Sequence, residues 1–233
     1  MHKLYQHGTL GALMAGLLEG TATVDELLTK GDFGIATLTG SDGEVIFLEG
    51  EAFHANEHGD FVQLSGEERT PYATIAHFKS DHQFNVKHMD SNTFKDKVKS
   101  EMLSENLFSA VKATGTFKSM HVRMMPKQDP PYTKLMDSVE SQPEVTLMDI
   151  KGTIVGFFTP DLFHGIGAKG FHIHFVDDQN MYGGHILDFE IENASIELQN
   201  FETFEQHFPI DNKAFLNEKI DEEMVRRDIE KGE

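Results

Sequence analysis

The chain reads as an α+β protein: two β-rich domains of mixed and antiparallel sheet with a few flanking helices. Three observations predict this class. Apolar residues recur every second position in separated segments such as 111–124, the period of a strand with one buried face. Turn chemistry, including Thr39-Gly40-Ser41-Asp42-Gly43 and Asp177-Asp178-Gln179-Asn180, divides these segments at hairpin lengths. Helical spacing is confined to short stretches at the start, near residues 91–103, and at the end.

Taken in order, Leu10 to Leu27 mixes small and apolar residues, with Leu13, Leu17 and Leu18 on one side. Thr23 followed by Glu26 forms a capping box before Leu27 and Leu28, so two short helices are expected. Phe33–Leu38, Glu44–Phe47 and Glu51–Ala55 then form a β-meander, and Thr74–His77 is strand-like. Phe94, Val98 and Met102 are four apart, which predicts a helix over 91–103 with Ser91 as its cap. From Ala110 the strand period returns. Met120, Val122 and Met124 share one face, and Ser119, His121, Arg123 and Met125 share the other. Pro126–Tyr132 reads as an extended loop and domain seam, dividing the chain into residues 1–130 and 131–233. Leu135–Glu140 is expected as a short helix, and Val145–Phe158 and Phe171–Leu198 as strands joined by the glycine-rich loop 165–170. Gly115-Thr116-Phe117 and Gly152-Thr153-Ile154 hint at an internal duplication. Ile220, Met224 and Ile229 predict a terminal helix.

Composition narrows the function. At 233 residues, 39% hydrophobic and 25% charged, the chain is ordinary globular protein, neither coiled coil nor disordered. The absence of cysteine excludes thiolate nucleophiles, disulfides and sulfur-ligand zinc modules, so any metal must sit on nitrogen and oxygen. A formal charge of −19 disfavours nucleic acid and anionic membranes as partners. An anionic substrate in so acidic a molecule needs a placed cation. The longest apolar run, Gly152–Phe158, is strand-sized, and the first residues lack a secretory h-region, so the expected compartment is the cytoplasm.

The histidines carry the chemistry. His172 and His174 lie two apart on a strand and therefore share a face. A hairpin centred between Gln179 and Asn180 sets His185 directly opposite His174, within about 5 Å at Cβ. Three imidazoles on one face with an open position suit a catalytic metal, Zn2+ by the nature of the donors. His77, His121 and His164 lack such spacing and read as surface or hydrogen-bonded residues. Arg123 is the candidate for gripping a carboxylate through its planar fork. An arginine on a solvated strand needs no such role, and composition does not choose between the two.

Separated motifs then resemble one family in the right order. They are His7-Gly8-Thr9-Leu10-Gly11-Ala12-Leu13-Met14, Lys30-Gly31-Asp32-Phe33-Gly34-Ile35-Ala36-Thr37, Asp42-Gly43-Glu44, Thr114-Gly115-Thr116-Phe117, Val122-Arg123-Met124-Met125-Pro126-Lys127-Gln128, Lys151–Pro160, Gly170–Phe175 and Gly183-Gly184-His185. The chain is similar over nearly its whole length to the alpha-acetolactate decarboxylases. The resemblance implies a zinc carboxy-lyase that converts 2-acetolactate to (R)-acetoin and carbon dioxide, through a metal-stabilised enediolate protonated on one face. It also implies a homodimer. By the same resemblance His172, His174 and His185 are zinc ligands, Glu44 is an acidic residue at the metal, Arg123 is the active-site arginine and Thr37 lines the substrate pocket. A tail glutamate completes the set as a further metal ligand and catalytic group, Glu233 by preference over Glu230. Either Glu44 or the tail glutamate delivers the proton.

Two other readings compete. A cupin-like metal oxygenase or isomerase also carries His-x-His on a strand, but it would add a glutamate a few residues later, where this chain has Phe175, Val176, Asp177 and Asp178. A non-catalytic, metal-dependent small-molecule sensor would hold a structural ion on the same histidines.

Overall fold

The computed structural model describes residues 2–139 and 141–232. In chain order the elements are β1 (Lys3–His7), α1 (Leu10–Met14), β2 (Ala22–Thr23), α2 (Val24–Leu28), β3 (Phe33–Leu38), β4 (Asp42–Leu48), β5 (Glu51–Ala55), β6 (Phe61–Gln63), β7 (Arg69–Thr70) and β8 (Tyr72–Ala76). Next come β9 (His82–Asp90), α3 (Ser91–Glu101), β10 (Ser109–Arg123), α4 (Met136–Val139) and β11 (Glu144–Thr159). The chain ends with β12 (Gly170–Asp177), β13 (Gly183–Asn200), β14 (Thr203–His207), α5 (Lys213–Asn217) and α6 (Glu222–Gly232). The α+β, strand-dominated class is as expected.

Two large sheets carry the molecule. One has seven strands in the order β14-β1-β8-β3-β4-β5-β6, mixed because β1 and β14 run parallel. The other has the order β10-β11-β12-β13-β9, and a further β10–β13 pairing closes four of its strands into a ring. The sheets do not divide at residue 130. Strands β9 and β10 belong with the C-terminal strands, β14 returns to the N-terminal sheet, and the expected seam at 126–132 connects two strands of one sheet. The two Gly-Thr motifs meet in a single antiparallel ladder, Gly115 opposite Gly152 and Thr114 opposite Thr153, and the topology does not confirm a duplication.

Alternation decides which face goes where. Phe117, Phe175 and Phe189 fill the inside of the ring, with Phe117 meeting Phe175 edge-on at 5.5 Å. The off-parity residues Ile173 and Phe175 therefore find their place in this core. Val155, Phe157 and Val176 face outward and pack on Leu4, Phe33, Ile35 and Ile46 of the seven-stranded sheet. The opposite face of that sheet is covered by Val24 and Leu27 of α2.

Local sequence explains the joints. Glu49 and Gly50 both have positive φ and form the two-residue turn between β4 and β5, a geometry that matches the twist of paired strands. The capping box forms as expected: Thr23 N–H donates to Glu26 at 2.8 Å, and Glu26 N–H donates to the Thr23 hydroxyl at 3.2 Å. Thr23→Ala is expected to cost about 1 kcal/mol, read as a lower urea midpoint at unchanged m. Asp90, not Ser91, caps α3 by accepting from Thr93 N–H at 2.7 Å. Ser91 is the first helical residue, and its hydroxyl instead reaches Asp188. The terminal helix begins at Glu222, later than Ile220, after the separate short turn α5.

The parallel β1–β14 pair holds a buried imidazole contact. His7 is fully buried, with Nδ1 2.9 Å from His207 Nδ1 and Nε2 2.7 Å from the Thr21 hydroxyl. Burial, then the charge of His207, lowers the His7 pKa to about 4, with Glu26 and Arg69 as the other charges that act on it. The unfolded chain therefore binds this proton more readily. The contribution is complete above the ordinary value of 6.5 and is lost as pH falls through about 4. Urea titrations across this range should show a steeper loss of stability in the native chain than in His7→Gln; parallel curves would refute the assignment.

Candidate active site

The site is assembled by strand register. His174 pairs with His185 across the β12–β13 hairpin, as the turn position predicts. The Asp177 carboxylate fixes that turn by accepting N–H bonds from Met181 at 2.7 Å and Tyr182 at 2.8 Å. Beyond His185, β13 changes partner and runs along β10, so His185 also pairs with Arg123. Directly paired residues point to one side, and a single row therefore carries His174, His185 and Arg123 toward the seven-stranded sheet. Gly184, at φ +155°, sits at this change of partner. A Cβ there would lie 2.8 Å from the Arg123 carbonyl oxygen, so only glycine admits the approach.

One ligand atom from each of His172, His174 and His185 lies within 4.8 Å of the other two. His172 Nε2 and His174 Nε2 are 3.3 Å apart. His174 and His185 are almost wholly buried. Burial holds both imidazoles well below their usual pKa; the neighbouring His172 and Arg123 lower His174 further, and Arg123 and His172 do the same to His185. Both rings are therefore neutral. His174 Nδ1 is 3.2 Å from the Val45 carbonyl oxygen. Donation there leaves the Nε2 lone pair facing its two neighbours, the arrangement a ligating histidine needs. An all-nitrogen set of imidazoles fits a divalent zinc-type ion, though such donors accept several first-row metals.

The facing sheet contributes Glu44. Its Oε2 lies 3.3 Å from His174 Nε2, and the residue is 6% exposed. Glu44 and Ile46 share a face, so the carboxylate is delivered by the same alternation that packs Ile46 against Val155 and Phe157. The preceding turn is held from several sides. Thr37 donates its hydroxyl to the Gly43 carbonyl oxygen at 2.7 Å, Gly43 N–H donates to Met125 O at 3.0 Å, and Lys127 Nζ lies 3.3 Å from Asp42. Gly43 has φ +59°, and a Cβ on it would come within 2.1 Å of the Ala55 carbonyl oxygen. The residues after Arg123 are thus a strap that ties the Asp42-Gly43-Glu44 turn to the histidine-bearing sheet.

His172, His174, His185, Glu44, Arg123 and Thr37 all line one open cavity. Its remaining wall is mainly apolar, from Leu10, Leu13 and Met14 of α1 and from Leu135 and Val139 around α4. The sequence places those leucines on short helices and Ser41 in a turn without marking them for the site, and it leaves Tyr72 and Gln142 unmarked; all line the cavity. Neither residue type nor spacing marks them. Glu233, the preferred tail glutamate, and Glu140 lie outside the described residues. Glu230 is exposed and bound to Lys169 at 2.6 Å. His121 pairs with Glu144 at 2.9 Å, His77 lies 3.7 Å from Asp32, and His164 contacts the Arg226 carbonyl oxygen at 3.2 Å.

Fold and site define the class: a two-sheet enzyme whose three-histidine group could hold a metal ion beside a buried carboxylate and a guanidinium. The family model for alpha-acetolactate decarboxylase matches residues 4–222, and the chain belongs to that family. It is 41% identical to the alpha-acetolactate decarboxylase of Lactococcus lactis subsp. cremoris strain MG1363, over 99% of this chain and 98% of the relative. It is 42% identical to that of Streptococcus thermophilus with the same coverage. Among solved structures, a protein described as of unknown function and similar to alpha-acetolactate decarboxylase, from Staphylococcus aureus, superposes with TM-score 0.98 at 61% identity, covering 99% of this chain and all of the other. The alpha-acetolactate decarboxylase of Bacillus subtilis strain 168 superposes with TM-score 0.96 at 30% identity, over 99% of each chain. Among the described residues, no helix is long and apolar enough to cross a membrane.

Proposed function

We propose that the chain decarboxylates 2-acetolactate to (R)-acetoin and carbon dioxide, with zinc held by His172, His174 and His185. The observation that carries this reading is the convergence of three imidazoles, Glu44 and Arg123 on one largely apolar cavity. When bound, the metal supplies a Lewis acid for the negative charge that develops on the ketone oxygen as carbon dioxide departs. Arg123 supplies the fixed cation that an acidic protein needs for an anionic substrate, and its planar fork orients the carboxylate. The bond to the carboxyl carbon breaks, and its electron pair stays with the former substrate as an enolate-type anion. Glu44 stands where it can hold a proton for that carbon and deliver it from one side, which makes the product one hand of acetoin. Thr37 commits its hydroxyl proton to the Gly43 carbonyl oxygen and so positions Glu44 as well as lining the cavity. The apolar wall of α1 excludes water from the reacting carbon. The Glu233 carboxylate completes the proposed set as an additional ligand.

Incubation of the purified protein with racemic 2-acetolactate should yield acetoin and carbon dioxide. The activity should be lost to a chelator and restored by zinc. A folded, zinc-loaded sample that forms no acetoin would overturn the reading. The same reading carries a cytoplasmic homodimer, for which sedimentation should return twice the chain mass of 26.2 kDa.

A further inference from the structure

Two side chains lining the cavity carry solvent-shielded polar atoms with no hydrogen-bond partner among the described residues. The Ser41 hydroxyl is one, on a residue only 1% exposed. The Gln142 amide is the other, with both its nitrogen and its oxygen shielded from solvent. Such groups are uncommon in folded proteins and unfavourable to keep. Both line the same cavity as the histidine cluster.

Their positions are fixed by backbone. Ser41 has φ +56°, in a turn locked by Gly40 N–H donating to Leu18 O at 2.8 Å and by Gln128 N–H donating to Gly40 O at 2.8 Å. Gln142 follows α4, and the next residue, Pro143, accepts the Met124 N–H at 3.2 Å. Gln142 is therefore anchored beside the strand end that bears Arg123.

We propose that Ser41 and Gln142 form a polar subsite that recognises the hydroxyl-bearing carbon of a 2-hydroxy acid and sets a preference for hydroxylated substrates. This rests on the reading of the cavity as the binding place of a 2-hydroxy-3-oxo acid. The Ser41 hydroxyl and the Gln142 amide N–H groups donate to substrate oxygens, and Gln142 Oε1 accepts the substrate hydroxyl proton. An acid with a methyl group in place of the hydroxyl leaves Gln142 Oε1 without a partner, and discrimination against it follows from that difference.

The test uses the metal-loaded full chain and two non-reactive acids of the same shape, 2-hydroxy-2-methylpropanoate and 2,2-dimethylpropanoate. Calorimetry should show the native protein preferring the hydroxy acid by about tenfold or more. Ser41→Ala and Gln142→Met should each reduce that preference to about threefold or less, and their effect on turnover should fall on KM more than on kcat. The ligand-free variants should melt at or above the native midpoint, because each loses an unpaired buried group. Preference retained in both variants would overturn the subsite, as would lowered melting midpoints with preference unchanged, the result of a purely structural role. A native protein that forms no acetoin, with the preference for the hydroxy acid reduced in both variants, would remove the proposed reaction and leave the subsite standing. Acetoin formation with preference untouched by either substitution would do the reverse.

Discussion

His185→Ala is expected to release the metal and to lower turnover of 2-acetolactate by about a thousandfold or more. The imidazole sits at the position that pairs with both His174 and Arg123. Its removal reduces a three-nitrogen site to two, too few to hold a catalytic ion against water. It also opens a gap beside Arg123, so the guanidinium loses the neighbour that defines its side of the cavity. Metal content by mass spectrometry and steady-state turnover check the expectation together, and circular dichroism checks that the ring of strands persists. His172→Ala serves as the second variant, since that residue is less deeply buried and its loss disturbs packing less. Full metal content and full turnover in both variants would remove the three-histidine site from the reaction.

The hairpin that makes this site was legible because its information is local. Turn residues at 177–180 set the register, and register alone brings His174 opposite His185. The pairing of His185 with Arg123 was not legible. It depends on β13 leaving β12 for β10, a strand more than sixty positions earlier in the chain, and no local pattern encodes that exchange. Arg123 lies opposite the apolar face of its strand, as the alternation indicates, and its own face borders the cavity because the seven-stranded sheet stands over it. The proline-rich segment 126–132 illustrates the same limit. Its composition announces an irregular loop and says nothing of whether the loop separates domains or straps two sheets together. Glu44 came from resemblance alone, since a single acid in a turn-strand sequence has no distinguishing period. Ser41 and Gln142 carried no signal, for the sequence does not reveal which polar groups folding leaves without partners.

Glu44→Gln separates the proton from the shape. The amide keeps the size of the carboxylate and its place on β4, so the strand pairing with β5 and the strap from Met125 and Lys127 should persist. What is lost is a carboxyl group in the cavity that can hold and release a proton. Turnover is expected to fall by about 10²- to 10⁴-fold, the range for removal of a general acid. Metal content should stay near that of the native protein, because three imidazoles remain. The stereochemistry of the residual product gives a sharper reading than the rate. If Glu44 delivers the proton from one side, the slow reaction left in the variant draws protons from water, and the acetoin formed should lose much of its handedness. Chiral chromatography of the product decides this. A variant that is equally slow but still makes one hand of acetoin would assign the proton to another group, the tail carboxylate being next in line, and would leave Glu44 to hold the metal and the charge around it. A variant that loses its metal would identify Glu44 as a ligand whose contribution the imidazoles cannot replace. The chemical distinction is between a carboxylate that titrates during the reaction and one that remains a fixed negative charge, and only the product's configuration reports on it directly.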